Sequence, residues 1–206
     1  MITEADARVL EPGSTVFLVA GGHITPLARD TLHARRVAVV AESVGADAAD
    51  LAPRSDIRTV AIAGDHTSLA LKRVIVQHLR GRGIAVHDLG TTTSDPVDYP
   101  DTAAAAATAV ARGEADAAIV IDGAGLGSTI AANKVAGARA AMCLSETLAR
   151  YARQHNGANV LALGATLITS EQALPIVDTF LATAMREPRY IRRLAKIRDL
   201  ELRPRT

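Results

Sequence analysis

The 206-residue sequence is poor in several residues that often announce a chemistry: it has one cysteine, Cys143, no tryptophan, three tyrosines and two phenylalanines. A single cysteine excludes an intramolecular disulfide and a cysteine-built metal cluster, so a reducing, cytoplasmic setting is the simplest expectation. So few rings offer little stacking surface to single-stranded nucleic acid. Lys and Arg number 23 against 22 Asp and Glu, which leaves no excess charge to attract a polyanion. Nucleic acid is therefore not an expected partner. No apolar run approaches the roughly 18 residues of a membrane span, and residues 1–14 hold acidic groups but no signal-peptide core, so no membrane partner is expected either.

What the sequence does have is alternation. Residues 15–20 (Thr-Val-Phe-Leu-Val-Ala) read as a buried strand, 26–34 as a short helix with Pro26 in its first turn, and 36–40 as a second strand. These form a small N-terminal strand-helix-strand extension. Residues 42–56, rich in Ala, Asp, Ser and Pro, read as a linker, which divides an N-terminal extension and linker (1–56) from a main domain (57–206). In the main domain strands at 59–63, 84–88, 117–121, 138–143 and 160–163 alternate with helices at 68–82, 101–112, 128–134, 145–155 and 170–185. Leu71, Val74, Ile75 and Leu79 give the first of these helices an apolar stripe at the helical period. Asp101 reads as an N-cap and Gly113 as a C-cap of the second. The pattern predicts an α/β fold, a doubly wound, Rossmann-like parallel sheet flanked by helices, with ligands at the carboxyl ends of its strands.

The loops after those strands carry the candidate residues. The apolar run 117–121 ends in Asp122 and then in glycines at 123, 125 and 127, which suits a tight turn that brings backbone N–H groups close to a ligand. This reads as a base beside an anion cradle. A dinucleotide fingerprint starting at Gly123 would require glycine at 128, where Ser128 stands. Asp65 and His66 follow the first strand of the main domain, Asp98 and Tyr99 the second, and His155 and Asn156 close the fourth helix. Arg189 and Arg193 share one face of a basic tail helix. Each has a plainer reading beside the functional one. Asp122 suits a turn that hydrogen-bonds its own backbone. The Asp65–His66 pair suits a helix N-cap. His155 suits a helix C-terminus with Gly157 in the left-handed position, the two arginines suit a solvated face, and Cys143 suits packing.

Taken together, the motifs Ala63-Gly64-Asp65-His66, Val97-Asp98-Tyr99-Pro100, Gly123-Ala124-Gly125-Leu126-Gly127, Ile130-Ala131-Ala132-Asn133-Lys134 and Arg153-Gln154-His155-Asn156-Gly157, with the Arg189/Arg193 pair, resemble the type B ribose-5-phosphate isomerase family. That family also includes galactose-6-phosphate isomerase subunits. The resemblance implies a homodimer or tetramer with the active site between protomers, and aldose–ketose isomerisation of a sugar phosphate through a cis-enediolate, with no metal and no organic cofactor. It implies that Asp65 and Tyr99 contact sugar hydroxyls, His66 faces the phosphate, His155 assists ring opening or protonates a sugar oxygen, and Asn156 hydrogen-bonds nearby. The backbone of Gly123, Gly125 and Gly127 would stabilise the enediolate, and Arg189 and Arg193 would bind the phosphate.

The sequence departs from the family pattern at informative positions. Many members carry a cysteine base where Asp122 stands, a familiar loop threonine is Ala124 here, and Gly164-Ala165-Thr166 lacks an arginine that can help bind phosphate. A carboxylate is a weak base in water, so Asp122 in the catalytic role requires an apolar, closed pocket, for which Ile121, Ala124 and Leu126 are the candidate walls. These departures set the expectation of a substrate other than ordinary ribose 5-phosphate. Two further functions fit the same residues: a sugar-phosphate-binding or assembly protein without catalysis, and an isomerase of a non-phosphorylated, uronate-type sugar. Residues 1–56 fall outside the resemblance, and oligomer contact or a lid is the expected role for them.

Overall fold

The computed structural model describes residues 1–18, 22–41 and 51–201. The chain forms two compact units, Met1–Ala49 and Asp50–Thr206. The boundary expected at residue 56 falls just inside the larger unit, where the half-buried Arg139 and the buried Arg153 hold the preceding segment. Arg139 Nη2 donates to the Leu51 carbonyl at 3.0 Å and Arg153 Nη2 donates to the Arg54 carbonyl.

The smaller unit holds α1 (Glu4–Val9), β1 (Thr15–Leu18), α2 (Pro26–Ala34) and β2 (Ala38–Ala41), with β1 and β2 paired in parallel. Thr3 and Asp6 close a capping box that starts α1, a helix the sequence reading did not include. Thr25 caps α2, and Pro26 occupies a first-turn position that needs no N–H. Ala7, Ala28, Leu32 and Val37 form the core of this unit. The strand residues expected at 19 and 20 and the linker at 42–50 lie outside the described residues.

The larger unit alternates as expected: β3 (Thr59–Gly64), α3 (Leu69–Gly81), β4 (Ala85–Asp88), α4 (Tyr99–Ala111), β5 (Ala117–Asp122), α5 (Leu126–Ala132), β6 (Ala140–Met142), α6 (Glu146–Gln154), β7 (Val160–Gly164), α7 (Ser170–Ala182) and α8 (Pro188–Glu201). The five strands are parallel in the order β4-β3-β5-β7-β6. The pleat divides the central strands into two chemistries. Ile62, Ile119, Ile121, Leu161 and Leu163 join Ile75, Leu79 and Phe180 in one core, where large side chains fill the space against α3 and α7. On the opposite face Ala61, Ala63, Ala118 and Ala162 meet Ala103, Ala106 and Ala107, so that the alanine-rich α4 lies close against the sheet.

Several boundaries differ from the sequence reading for local reasons. Helix α4 starts at Tyr99 with Asp98 at its N-cap, and Asp101 sits in its first turn instead of capping it. Pro100 permits the earlier start, since first-turn N–H groups have no intrahelical acceptor. Helix α5 begins at Leu126, two residues before the expected start, and α7 ends at Ala182. Gly113 has φ of 72° just after the end of α4, which suits the expected helix stop.

The connection from β3 leads to β4 on one side, and the chain then crosses to β5 on the other side of β3. The carboxyl ends of β3 and β5 therefore flank the topological switch point, the place at which open α/β sheets offer a crevice to a ligand.

Arg153 ties the opposite edge together. It is fully buried, packs its guanidinium 5.0 Å from the Phe180 ring, and donates to the carbonyls of Thr183 at 3.3 Å, Ala158 at 3.0 Å and Arg54. Burial, aided by the charge of Arg139, lowers its pKa to about 10, which leaves it charged at neutral pH. Replacing Arg153 by Leu strands these carbonyls, so urea unfolding is expected to show a loss of about 3 kcal/mol. An unchanged midpoint would mean that the carbonyls find other donors.

Candidate active site

Three connections converge on the crevice at the switch point. Asp65 follows β3 directly and caps the short 3-10 turn His66–Ser68: its Oδ1 accepts from the Thr67 N–H at 2.9 Å and from the Thr67 hydroxyl at 2.6 Å. His66 Nδ1 accepts from the Val97 N–H at 3.4 Å, so the neutral ring carries its proton on Nε2. Tyr99 opens α4 and lays its ring on Gly127, where an added Cβ would stand 2.5 Å from ring carbons Cε2 and Cζ. Thr67 closes the circuit, with its hydroxyl 3.8 Å from where a Cβ on Gly123 would be.

The glycine loop differs from the sequence reading in one respect that matters for chemistry. Asp122, the last residue of β5, is 5% exposed, and both of its oxygens are engaged by its own loop. Oδ1 accepts from the N–H groups of Ala124, at 2.9 Å, and Gly125, while Oδ2 accepts from the Ser128 N–H at 2.7 Å. The cradle thus holds the carboxylate that was expected to stand beside it. The cause is local: a strand-end Asp side chain reaches the amides two and three residues on once Gly125 turns left-handed. Gly125 has φ of 76°, and a Cβ there would lie 2.9 Å from the Leu163 carbonyl carbon. Thr166 clamps the loop from β7, donating through its N–H at 2.9 Å and its hydroxyl at 2.7 Å to the Gly123 carbonyl.

The remaining expected residues form a second group. His155 caps α6 and lies between two rings, Tyr151 at 4.6 Å in a stacked arrangement and Tyr190 at 4.7 Å. Arg189 donates to the Tyr190 hydroxyl at 3.1 Å and its guanidinium lies 4.8 Å from that ring, with Arg193 at 5.6 Å. Asn156 is exposed and lines a groove of about 400 Å³ along β6 with Met142, Cys143, Leu148 and Tyr151. Cys143 is buried there, and burial pushes its thiol up to about 11, so it packs and does not act as a thiolate at neutral pH.

These two groups do not meet within one chain. His155 and Asn156 precede β7, whereas Asp122 pairs with Gly164 at its far end. At ~3.3 Å per residue the strand Val160–Gly164 separates them by roughly 13 Å. The structure therefore brings Asp65, His66, Tyr99, Asp122, Gly123, Gly125 and Gly127 to the carboxyl edge of the sheet, and His155, Asn156, Arg189 and Arg193 to the amino edge. The sequence reading missed Thr67, Tyr151 and Tyr190. The Asp-x-Thr spacing signals the first, and the spacing of Tyr151 four residues before His155 signals the second. With three tyrosines in the chain, all three belong to one group or the other.

Residues 60–197 match the model of the family described as Ribose/Galactose Isomerase. The chain is 43% identical over 147 residues to ribose-5-phosphate isomerase B of Escherichia coli strain K12, an alignment that spans 71% of this chain and 99% of that protein. A crystal structure of ribose-5-phosphate isomerase B from Mycoplasma genitalium with bound ribulose 5-phosphate is similar with a TM-score of 0.69 and 41% identity, covering 71% of this chain and 97% of that one. The corresponding protein of Clostridium thermocellum gives a TM-score of 0.68 and 46% identity, covering 69% and 97%.

The engagement of Asp122 has a measurable consequence. Asp122→Asn turns an amide donor toward at least one backbone N–H, and urea unfolding is expected to lose about 2 kcal/mol, the scale of a hydrogen bond to a charged group. Unchanged stability would mean that the carboxylate does not hold the loop.

Proposed function

The chain belongs to the ribose/galactose isomerase family, and on that premise we propose that it interconverts an aldose phosphate and the matching ketose phosphate through a cis-enediolate. The observation that carries this reading is the division of its polar residues. The crevice between β3 and β5 has the carboxylates, the Tyr99 phenol and the glycine loop that suit proton transfer and hydroxyl recognition. The group around His155 has the cations, Arg189 and Arg193, that suit a phosphate.

A sugar phosphate needs both groups at once, so the site is completed by a second copy of the chain. A two-fold pair would set the carboxyl edge of each protomer against the amino edge of the other and so form two equal sites. Support comes from large apolar side chains left exposed near these residues, Leu126 and Ile130 on α5 and Leu148 and Tyr151 on α6. In this arrangement a base removes the proton from the carbon next to the carbonyl, and the C–H electron pair becomes the C=C bond of the enediolate. The Gly123 and Gly127 N–H groups, which Asp122 does not hold, face the oxygen that gains charge, whereas the Gly125 N–H is committed to Asp122. The proton returns to the neighbouring carbon, and a hydroxyl proton passes between the two oxygens. His155 of the second copy assists ring opening, with Asn156 hydrogen-bonding nearby.

Thr166, its hydroxyl committed to Gly123, supplies no positive charge at a position where the resemblance implies an arginine, which supports a sugar phosphate other than ribose 5-phosphate as the preferred substrate. The engagement of Asp122 favours a second reading, a sugar-phosphate-binding protein without catalysis. The two part in deuterium oxide with a panel of tetrose, pentose and hexose phosphates that includes ribose 5-phosphate. The isomerase reading expects deuterium at the carbon next to the carbonyl, inhibition by inorganic phosphate, and a better substrate than ribose 5-phosphate. Thermal stabilisation by these ligands with no exchange on any of them would support the binding protein instead.

A further inference from the structure

Two carboxylates stand at the ends of neighbouring strands at the switch point, and their oxygens are unequally engaged. A carboxylate offers about four acceptor positions. Asp122 has three of them filled by backbone N–H groups of its own loop, so both of its oxygens are held in place. Asp65 stands one strand away, its N–H donating to the Ile121 carbonyl at 3.2 Å. Its Oδ1 is fixed by the two donors of Thr67, and its Oδ2 accepts nothing from the described residues yet is not sealed from solvent. One oxygen held and one open, on a side chain 6% exposed, is the arrangement that a positioned base requires.

We propose that Asp65, and not Asp122, is the proton-abstracting base of this chain, and that Asp122 serves as the internal anion that fixes the glycine loop. This inference rests on the isomerase reading above. Asp65 Oδ2 takes the proton from the carbon next to the sugar carbonyl. The freed electron pair forms the enediolate double bond and the carbonyl oxygen gains the negative charge, the hydroxyl proton of the deprotonated carbon passes to that oxygen, and the Asp65 carboxylic acid returns the proton to the adjacent carbon as the new carbonyl forms. No oxidant, reductant or co-reactant enters the balance. Thr67 is a positioning residue, because it sets the rotation of the carboxylate through Oδ1. The presence of a carboxylate just after β3 that is both oriented and open removes the need for a free base at position 122.

The test compares variants on whichever sugar phosphate of the panel the parent exchanges fastest. Asp65→Asn keeps an oxygen for Thr67, so the turn and the urea midpoint should be preserved, while kcat and deuterium exchange fall by ~10²–10⁴-fold with KM nearly unchanged. Asp65→Ala should regain part of its exchange when formate supplies a free carboxylate, whereas formate should do nothing for Asp122→Asn. Exchange by Asp65→Asn at the parental rate, or a defect confined to KM, would overturn the assignment and leave Asp65 as a hydroxyl contact. Absence of exchange by the parent on every sugar phosphate would overturn the isomerase reading itself, and the base assignment with it.

Discussion

All five strands of the larger unit run in one direction, and the placement of every candidate residue follows from that constraint. A parallel sheet sends the loops that follow its strands to one edge and the loops that precede them to the other. Asp65, Tyr99 and Asp122 belong to the first kind of loop, and His155 and Asn156 to the second. The order β4-β3-β5-β7-β6 then selects β3 and β5, out of five carboxyl ends, as the pair that opens a crevice. The core supports this geometry asymmetrically, with Ile and Leu on one face of the central strands and Ala on the other.

Within the crevice the deciding physics is hydrogen-bond accounting. A buried carboxylate is costly unless its lone pairs are met. Asp122 meets that requirement with three amides of its own loop, and the same bonds pin the loop that Thr166 clamps from the other side. The amides that suit an external anion at 124, 125 and 128 are consequently committed to an internal one. Asp65 satisfies the same requirement with half as many of its oxygens. The two side chains share a chemical type and a neighbourhood, and differ in what they leave free.

The alternation of strand and helix was legible because the apolar runs are short, well separated and punctuated by glycine. The glycine turn was legible too, since Gly125 takes a left-handed φ that the spacing of glycines implies. The start of α4 was misread because an Asp at 101 is a good cap in isolation, whereas Pro100 tolerates a start two residues earlier. The fate of the Asp122 side chain could not be read from its neighbours in sequence, because an Asp before glycines suits a free base and a self-satisfied turn equally well. Only the direction of the Ala124, Gly125 and Ser128 N–H groups distinguishes them. The gap between His155 and Asp122 was likewise invisible in the spacing of residues, since it depends on which edge of the sheet each loop occupies.

Two incomplete groups of complementary chemistry, one with carboxylates and one with cations, on opposite edges of the same sheet, make sense as halves of a site that two copies of the chain share. The most direct measurement is complementation by subunit exchange between an Asp65→Asn protein and a His155→Ala protein, each of low activity alone. If the site is shared, mixed dimers contain one intact site and one doubly altered site, and the mixture should recover roughly a quarter of the parental activity. Activity no greater than the average of the two variants, with exchange of subunits verified, would contradict a site built from two protomers.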